Sequence, residues 1–459
     1  MSLSSISPKF RVAICGAGIG GLVLAVTIGK FAGCNIDIDL YEAHDAITTA
    51  GAGVSLWRRA TEIIEELGMH DEFSRVSTKP SSSHGLLFRK SNAPESFEWF
   101  RYIFEPCGPS NLHRQHLVDI LKKNIPSSCT MHFNKRLTKY DMESSGSLVL
   151  HFADDSTATA DVLVGADGLR SSVRKTLFET IDPSIVDPSK IRYYSDPSWT
   201  GALVYRTVFP AEKLSKIDPN DLALKEFMVF CGKGKHIVSF PVSQGTQINI
   251  VAFVSDQQKS GTPFEGRWVS DVALEEVEEA YSDFEPDVKR LLKQILQCSE
   301  NPSRWAVHVV NELPLFTCNR VVLMGDAAHA MMPHLGAGAG QAIEDAFVLG
   351  RLLAHPLTTL DNVPAALKVY QDVRLPFAQL AARESERIGY MYDFCSPGYY
   401  DGTDSVNKRE ELEILKGKII GLRDWAAEGG AVAEWVKAES RLQESLCPER
   451  RENSVLCSL

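Results

Sequence analysis

The feature that most constrains the fold is a glycine run near the amino terminus, Gly16-Ala-Gly18-Ile-Gly-Gly21. A short apolar stretch, Phe10 to Cys15, precedes it and predicts a buried strand. The residues that follow, Leu22 to Phe31, have the composition of a helix. A second strand-like segment, Ile36 to Glu42, alternates apolar and polar residues and ends in an acid. Together they predict a βαβ unit with a tight turn after its first strand.

Three glycines of this run each have a distinct physical role. Gly16 permits the tight turn, Gly18 lets a pyrophosphate approach the backbone, and Gly21 lets helix and strand pack closely. The helix amino terminus offers unpaired N–H groups to the anion. Glu42 is expected to bind the ribose hydroxyls and to repel a ribose 2′-phosphate, which favours FAD or NAD over NADP at this site. The alternative is a purely structural turn.

Composition narrows the class of protein further. The 459 residues are 44% hydrophobic and 23% charged, enough for a large core in two or three units. The net charge of −11 and the absence of a basic run argue against a nucleic-acid surface. No apolar segment predicts a membrane span, and the first residues do not resemble a leader peptide, so a cytoplasmic protein is expected. The ten scattered cysteines predict reduced thiols and no metal site.

Two further motifs follow predicted strands. One is Gly165-Ala-Asp167-Gly168-Leu-Arg170-Ser-Ser-Val-Arg174, and the other runs from Arg320 through Gly325-Asp326-Ala-Ala-His329 and Pro333-His334 to Gly336-Ala337-Gly338-Ala339-Gly340. In this order, and with the amino-terminal glycine run, they resemble the single-component FAD-dependent aromatic monooxygenases of the salicylate hydroxylase type. The resemblance covers about residues 10 to 390.

The resemblance implies roles for several residues. Asp326 is expected to bind a ribityl hydroxyl of FAD, Arg114 its phosphate or ribityl portion, and Asp167 both FAD and the nicotinamide cofactor. Gly53 is a further candidate contact. The turn formed by Gly336, Ala337, Gly338 and Ala339 would let the backbone approach the isoalloxazine, with the positive end of the next helix near N1–C2=O. The alternatives are a helix cap for Asp326, a surface position for Arg114 and a plain turn for the glycines.

The reaction that the resemblance implies uses NADH or NADPH as a transient co-substrate to reduce FAD. O2 then forms a C4a-hydroperoxide that hydroxylates a phenol or aromatic acid, with decarboxylation as an alternative course. Such an intermediate needs a dry pocket, so Met331, Met332 and Pro333 are candidates for its wall, ordinary core packing being the alternative. Candidates to stabilise a phenolate are Arg206, Tyr205, His236, His329 and His334. A solvent-facing Arg206 and a sheet histidine bonded to backbone remain the alternatives.

The predicted fold is α/β. A discontinuous Rossmann-like FAD-binding domain comprises residues 1–180 and 300–375, a β-sheet-rich substrate domain residues 181–299, and a C-terminal helical segment residues 376–459. We expect a monomer or homodimer. Arg58 and Arg59 depart from the usual family pattern and could add positive charge near the flavin. Three other functions stay open: a biosynthetic monooxygenase that epoxidises or dearomatises a larger phenol, a flavin-dependent reductase or dehydrogenase, and a flavin-binding protein without catalysis.

Overall fold

The structure is a computed structural model that describes residues 8–32, 35–47, 53–78, 85–92, 95–104, 108–298, 302–427 and 429–446. Its strands are β1 Arg11–Cys15, β2 Asp37–Tyr41, β3 Gly53–Leu56, β4 Leu86–Lys90, β5 Phe97–Tyr102, β6 Ser110–His113, β7 Cys129–His132, β8 Leu137–Met142, β9 Leu148–Phe152, β10 Thr157–Ala160, β11 Val162–Gly165, β12 Ser198–Pro210, β13 Phe227–Gly232, β14 Lys235–Val242, β15 Gln247–Ser255, β16 Val269–Asp271, β17 Ser303–Val309, β18 Thr317–Cys318 and β19 Val321–Leu323.

The α-helices alternate with these strands in the amino-terminal half and predominate at the end of the chain. They are α1 Ile19–Ala32, α2 Arg58–Glu66, α3 His70–Val76, α4 Arg114–Lys123, α5 Ser172–Thr180, α6 Ile191–Ser195, α7 Ala211–Ser215, α8 Leu274–Ala280, α9 Pro286–Cys298, α10 Asp326–His329, α11 Gly338–Ala354, α12 Val363–Tyr392, α13 Lys408–Ala427 and α14 Ala431–Leu446.

A six-stranded sheet carries the three sequence motifs. Its order is β18-β19-β11-β1-β2-β7, and all neighbours are parallel except β18 and β19. Continuous apolar runs such as Val162–Val164 and Val321–Leu323 are fully buried, as expected for parallel strands covered on both faces. The motifs follow β1, β11 and β19, which are neighbours, so their carboxyl ends meet at one edge.

An eight-stranded sheet forms the second layer, in the order β16-β17-β12-β15-β14-β13-β4-β5. Its strand pairing divides the chain differently from the predicted boundaries. Strands β4 and β5 come from the segment assigned to the FAD domain, and β17 comes from residues 303–309, yet all three pair within this sheet. The serine- and proline-rich sequence from Ser77 to Glu95 predicts irregular structure, but the short apolar run Leu86–Lys90 within it forms a strand because it pairs with β13.

The carboxyl-terminal residues form three helices. The predicted boundary at residue 375/376 falls inside α12, which continues through Pro376 as one helix. The amphipathic sequence of residues 409–446 predicts that Trp425 and Trp435 lie on a packing face. In α14, Ala431, Trp435, Ala438 and Leu442 are buried at helical spacing, which confirms this for Trp435. The side chain of Trp425 lies outside the described residues. These helices therefore pack on the rest of the chain and extend its core.

Within the described ranges, no helix is long and apolar enough to cross a membrane, and no cluster of side chains has the composition of a metal site. Five cysteines in those ranges are free thiols: Cys15, Cys129, Cys231, Cys318 and Cys395. These five agree with the prediction of reduced thiols.

Candidate active site

The turn after β1 needs glycine at two positions for steric reasons. Gly16 has φ +109°, and a Cβ there would lie 2.2 Å from the carbonyl oxygen of Ala166 in the turn after β11. A Cβ on Gly21 would lie 2.0 Å from the carbonyl oxygen of Gly16. A Cβ on Gly18 would meet no protein atom within 4 Å. Gly16 and Gly21 therefore close the turn, whereas Gly18 leaves its outer side open for a ligand.

One cavity of about 530 Å³ lies between the motif edge of the six-stranded sheet and one face of the eight-stranded sheet. The motif side contributes polar and small residues, and the sheet side contributes mostly apolar and aromatic ones. The motif side includes Gly18, Gly53, Arg114, Ala166, Gly168, Asp326, Pro333, Gly336, Gly338 and Ala339, and the sheet side includes Val204, Arg206, Phe227, Val238, Phe240, Val251, Phe253 and Trp305. Three distant sequence segments therefore converge on a single cavity.

The polar groups on the motif side suit a nucleotide. Asp326 begins α10 and lines the cavity, and no hydrogen-bond partner is recorded for its carboxylate in the described part of the chain. Arg114 begins α4 and lines both this cavity and a smaller cleft beside Glu42 and Gly18. The Glu42 carboxylate accepts hydrogen bonds from the backbone N–H groups of Ala17 and His44, both at 3.0 Å. It therefore lies next to the open turn, within reach of a ribose.

The second glycine turn faces the same cavity. Gly336 has φ +65°, the left-handed conformation that favours glycine. Helix α11 then starts at Gly338, where a Cβ would again meet no protein atom within 4 Å. Gly336, Gly338 and Ala339 line the cavity, whereas Ala337 packs against the apolar cluster that contains Leu335 and Tyr392. The start of α11 thus presents its free N–H groups to a ligand, an arrangement that fits the pyrimidine edge of a flavin.

Comparison with known proteins agrees with this geometry. The sequence profile of the FAD binding domain family matches residues 9–385. A salicylate hydroxylase from Pseudomonas putida is 31% identical over 444 residues, covering 96% of each chain. The chain belongs to the FAD-dependent aromatic monooxygenases. A 6-methylsalicylate 1-monooxygenase of Aspergillus terreus is 32% identical over 92% of this chain and 90% of its own.

A solved structure described as a salicylate hydroxylase substrate complex superposes with a TM-score of 0.77 at 31% identity, covering 95% of this chain and 98% of the other. The predicted family, the α/β fold with an FAD-binding unit, and FAD as cofactor are thereby confirmed. The glycines without Cβ obstruction and the open Asp326 carboxylate show that this monooxygenase has room and hydrogen-bonding groups for FAD in the cavity.

Arg206 lines the sheet side of the monooxygenase cavity. Its guanidinium lies 5.3 Å from the ring of Trp305, and no carboxylate is recorded within ion-pair distance among the described residues. Burial lowers the pKa of Arg206, and the charge of Arg114 adds to this effect. The predicted alternative of a solvent-facing, salt-bridged Arg206 is therefore not what the structure shows.

Tyr205 lies on the opposite face of β12, and the structure contradicts its candidate role. Its hydroxyl donates a hydrogen bond of 2.8 Å to Glu276, and its ring is buried beneath α8 and α9. Successive residues of a strand point to opposite faces, so Tyr205 and Arg206 cannot both face the cavity. The sequence alone does not show which of the two residues faces the cavity, because both faces of β12 are covered by other parts of the chain.

The three candidate histidines have different positions. His334 lines the cavity beside Pro333, and burial together with the neighbouring His236 lowers its pKa well below the usual value. His236 is fully buried behind it, with Nε2 3.3 Å from His334 Nδ1 and Nδ1 2.6 Å from Asp393 Oδ1. His236 can therefore act on the cavity only through His334. His329 instead bonds Asp345 in the core and does not line the cavity.

Asp167 also differs from its expected role. Its carboxylate accepts hydrogen bonds from Ser171 Oγ and from the backbone N–H groups of Ser172 at 2.8 Å and Val173 at 3.1 Å, so it caps α5. The neighbours Ala166 and Gly168 line the cavity, but Asp167 does not. Its carboxylate shapes the turn that faces the flavin site, and a direct contact with either cofactor is not supported.

Arg58 and Arg59 lie at the start of α2 and do not line the cavity. Arg58 donates a hydrogen bond of 2.7 Å to the carbonyl oxygen of Gly429 and lies 3.4 Å from Glu62. Arg59 is buried and pairs with Glu344 at 2.8 Å and with Glu434. The hypothesis that this pair adds positive charge at the flavin is wrong, because both side chains point toward the carboxyl-terminal helices.

The sequence interpretation missed a buried ion cluster behind the third motif. We call it the Arg374 cluster; it consists of Arg59, His329, Glu344, Asp345, Arg374 and Glu434. Asp345 also accepts a hydrogen bond of 2.9 Å from the backbone N–H of Gly325, directly before Asp326. The cluster therefore holds the motif in place. Its only signal in the sequence is the acidic pair Glu344-Asp345 inside an otherwise apolar helix.

Proposed function

We propose that this monooxygenase hydroxylates a small aromatic acid that carries a phenolic hydroxyl group, using NADH or NADPH as a transient reductant. The observation that carries this proposal is the convergence of the FAD motifs on one cavity whose opposite wall is apolar and aromatic. The cationic side chains of that cavity favour an acid: Arg206 and Arg423 line it, while Asp326 is assigned to the ribityl chain of FAD. The names of the related hydroxylases support an aromatic substrate for this chain as well.

Bound FAD supplies the transfer of electrons from the nicotinamide and the activation of O2. The chain itself contributes binding, orientation and the exclusion of water. Phe227, Phe240 and Phe253 lie on the sheet side with Val238, so the ring of a substrate would lie against apolar surface away from water. On the motif side, Pro333 and His334 form the adjoining wall.

His334 has a fixed position in the cavity wall. Its buried ring is neutral at physiological pH because burial lowers its pKa. Nδ1 faces His236, which is fixed in turn by Asp393. The other nitrogen, Nε2, is buried against Gly389 of α12 and has no hydrogen-bond partner among the described residues. The ring therefore fixes the wall beside Pro333 and does not exchange a proton with the substrate.

The function is tested with purified protein loaded with FAD. NADH and NADPH oxidation, O2 uptake and product are measured with salicylate, 4-hydroxybenzoate, unsubstituted phenol and a polyketide phenol, using ¹⁸O-labelled O2. We expect a labelled hydroxylated product from an aromatic acid, formed in step with nicotinamide oxidation. Reduction without label in the product would favour a reductase or dehydrogenase. Labelled product from the polyketide phenol alone would favour the biosynthetic alternative.

The cofactor assignment is tested with Asp326→Ala and the control Asp361→Ala, an exposed aspartate that does not line the cavity. Loss of a charge-assisted hydrogen bond to the ribityl chain should weaken FAD binding by about tenfold or more. Dialysed Asp326→Ala should therefore lose its yellow absorbance, whereas Asp361→Ala should retain it. Equal FAD retention by both variants would contradict the role of Asp326.

A further inference from the structure

The C-terminal helix α13 contributes a charged side chain to the cavity. Arg423 is 7% exposed and lines the cavity together with Tyr392, the last residue of α12. It donates two hydrogen bonds to the Tyr392 hydroxyl, from Nε at 3.1 Å and from Nη2 at 2.5 Å. The residue lies beyond the segment that matches the family profile, which ends at residue 385.

The charge of Arg423 is buried without a counter-ion in the described part of the chain. Among the residues that the structure describes, no carboxylate lies within ion-pair distance of it. The adjacent Asp424 accepts a hydrogen bond of 2.9 Å from Tyr102 instead. The ring centroids of Phe88, Tyr102 and Tyr392 lie 5.8, 5.9 and 5.8 Å from the guanidinium carbon, near the outer limit of cation–π attraction. Buried charges are normally paired, so this site is suited to an anion from outside the chain.

Two further guanidinium groups, those of Arg114 and Arg206, line the cavity. Arg206 is on β12, whereas Arg423 packs against Phe88 on β4, and four strand spacings separate those strands, about 19 Å. The positive charge of Arg114 contributes to lowering the pKa of Arg206, after the larger effect of burial, so the two side chains lie near each other. Arg114 also lines the smaller cleft beside Glu42 and Gly18. Arg206 therefore belongs to the nucleotide end of the cavity.

Arg423 belongs to the other end. Tyr392 packs edge-on against His236 at 5.4 Å, and His236 bonds His334 in the cavity wall. Leu335, the next residue, receives a hydrogen bond of 3.2 Å on its carbonyl oxygen from Trp57, another cavity residue. The guanidinium thus lies beside the Pro333–Leu335 wall, where the proposed function places the substrate.

We propose that Arg423, oriented by Tyr392, binds the carboxylate of the aromatic substrate, so that helix α13 determines substrate specificity. The inference rests on the proposed function and assigns the acid-binding group within the same cavity. Tyr392 is a positioning residue, because its hydroxyl acts through the guanidinium. Nη1 and the second N–H of Nη2 are not used by Tyr392, and these two adjacent donors suit a carboxylate, which accepts them in parallel.

The test uses the oxidised FAD-loaded protein and two probes of nearly equal shape, salicylate and its neutral analogue salicylamide. Dissociation constants are obtained from the change in the flavin absorption spectrum. The wild type should bind salicylate more tightly than salicylamide. Arg423→Met should weaken salicylate binding by about tenfold or more and change salicylamide binding by less than about threefold. Tyr392→Phe should lower the preference for the acid less than Arg423→Met does.

Arg206→Met is the comparison variant, since it removes another guanidinium from the same cavity. Because its charge is expected to act on the substrate only from a distance, Arg206→Met should lower the preference for salicylate much less than Arg423→Met does. FAD content and the unfolding midpoint of each variant show whether it has folded. If Arg423→Met loses FAD, Arg423→Lys replaces it; a lysine keeps the charge but not the two parallel donors, so the preference should shrink.

An unchanged preference in the Arg423 variants, its loss only in Arg206→Met, or no binding of either probe to the wild type would overturn the inference. The two proposals fail separately. Hydroxylated product with an unaltered preference in Arg423→Met would contradict only the role of Arg423. A preference that depends on Arg423, without labelled product from any aromatic acid, would contradict only the function.

Discussion

Arg374→Met is the substitution whose effect follows most directly from the structure. Arg374 is fully buried in the Arg374 cluster. Its Nε donates a hydrogen bond of 2.8 Å to Asp345 and its Nη1 one of 2.9 Å to Glu344, with a further ion pair to Glu434. Methionine keeps a similar length without the charge. In this variant, Asp345 keeps its hydrogen bonds to His329 and to the Gly325 N–H. Glu344 and Glu434 keep only their ion pairs with Arg59, the remaining arginine of the cluster.

The expected cost is large because the carboxylates stay buried after their partner is removed. Breaking a buried ion pair from one side costs about 3 to 5 kcal/mol. With an unfolding entropy of about 2.1 cal/mol/K per residue, a chain of 459 residues loses about 1 °C of unfolding midpoint per kcal/mol, so the midpoint should fall by about 3 to 5 °C. Since Asp345 also holds the backbone before Asp326, we expect FAD to dissociate at a lower temperature than in the wild type.

Thermal unfolding followed by tryptophan and flavin fluorescence measures both effects. Arg383→Met is the control, because Arg383 lies on the same helix and pairs with Glu312 at 2.6 Å, with both side chains about half exposed (49% and 50%). An exposed pair contributes about 1 kcal/mol or less, so the control should lower the midpoint by about 1 °C at most. Equal decreases in the two variants, or none in Arg374→Met, would refute a stabilising role for the cluster.

Two further predictions concern the glycine turn and pH. Gly21→Ala should fail to bind FAD because its Cβ would lie 2.0 Å from the Gly16 carbonyl oxygen, whereas Gly18→Ala should fold normally and bind FAD about tenfold or more weakly; the unfolding midpoint and FAD titration distinguish these effects. The pKa of Asp345 falls to about 2 because the charges of His329 and Arg374 outweigh the effect of burial, so its stabilisation is present above the usual value of 3.8 and is lost as pH falls toward 2. The difference in unfolding free energy between wild type and Asp345→Asn should therefore shrink by about 2 kcal/mol between pH 5 and pH 2, and a constant difference in denaturant titrations would contradict this.

The parts of the site that follow from local rules could be predicted from the sequence. The turn at Gly16–Gly21 depends on a few consecutive residues, and its strand and helix lie where the pattern predicted them. The convergence of the three motifs also follows from a simple rule, since each comes directly after a parallel strand. The family resemblance then supplied the cofactor, which the comparisons confirmed.

The face of a strand was harder to predict. In β12 the cavity covers one face and α8 and α9 cover the other, so apolar residues occur on both and the usual alternation is lost. The choice between Tyr205 and Arg206 depends on which layer packs against each face. Strand β4 was not predicted for a related reason. One of its two pairing partners, β13, is more than a hundred residues away in the chain.

The carboxyl-terminal helices contribute side chains to both sides of the flavin site, although no motif marks them. Glu434 of α14 completes the Arg374 cluster that holds the Gly325–Asp326 turn, and Arg423 of α13 reaches the substrate end of the cavity. The role of such a side chain becomes clear only when its partners from distant segments of the chain are known. Glu434, for example, pairs with Arg59 and Arg374. A buried charge is tolerated only where the fold or a ligand supplies its partner, so such residues look like ordinary surface charges in the sequence. Specificity determined in these helices can therefore change without any change in the flavin motifs, because the two sets of residues contact different ends of one cavity.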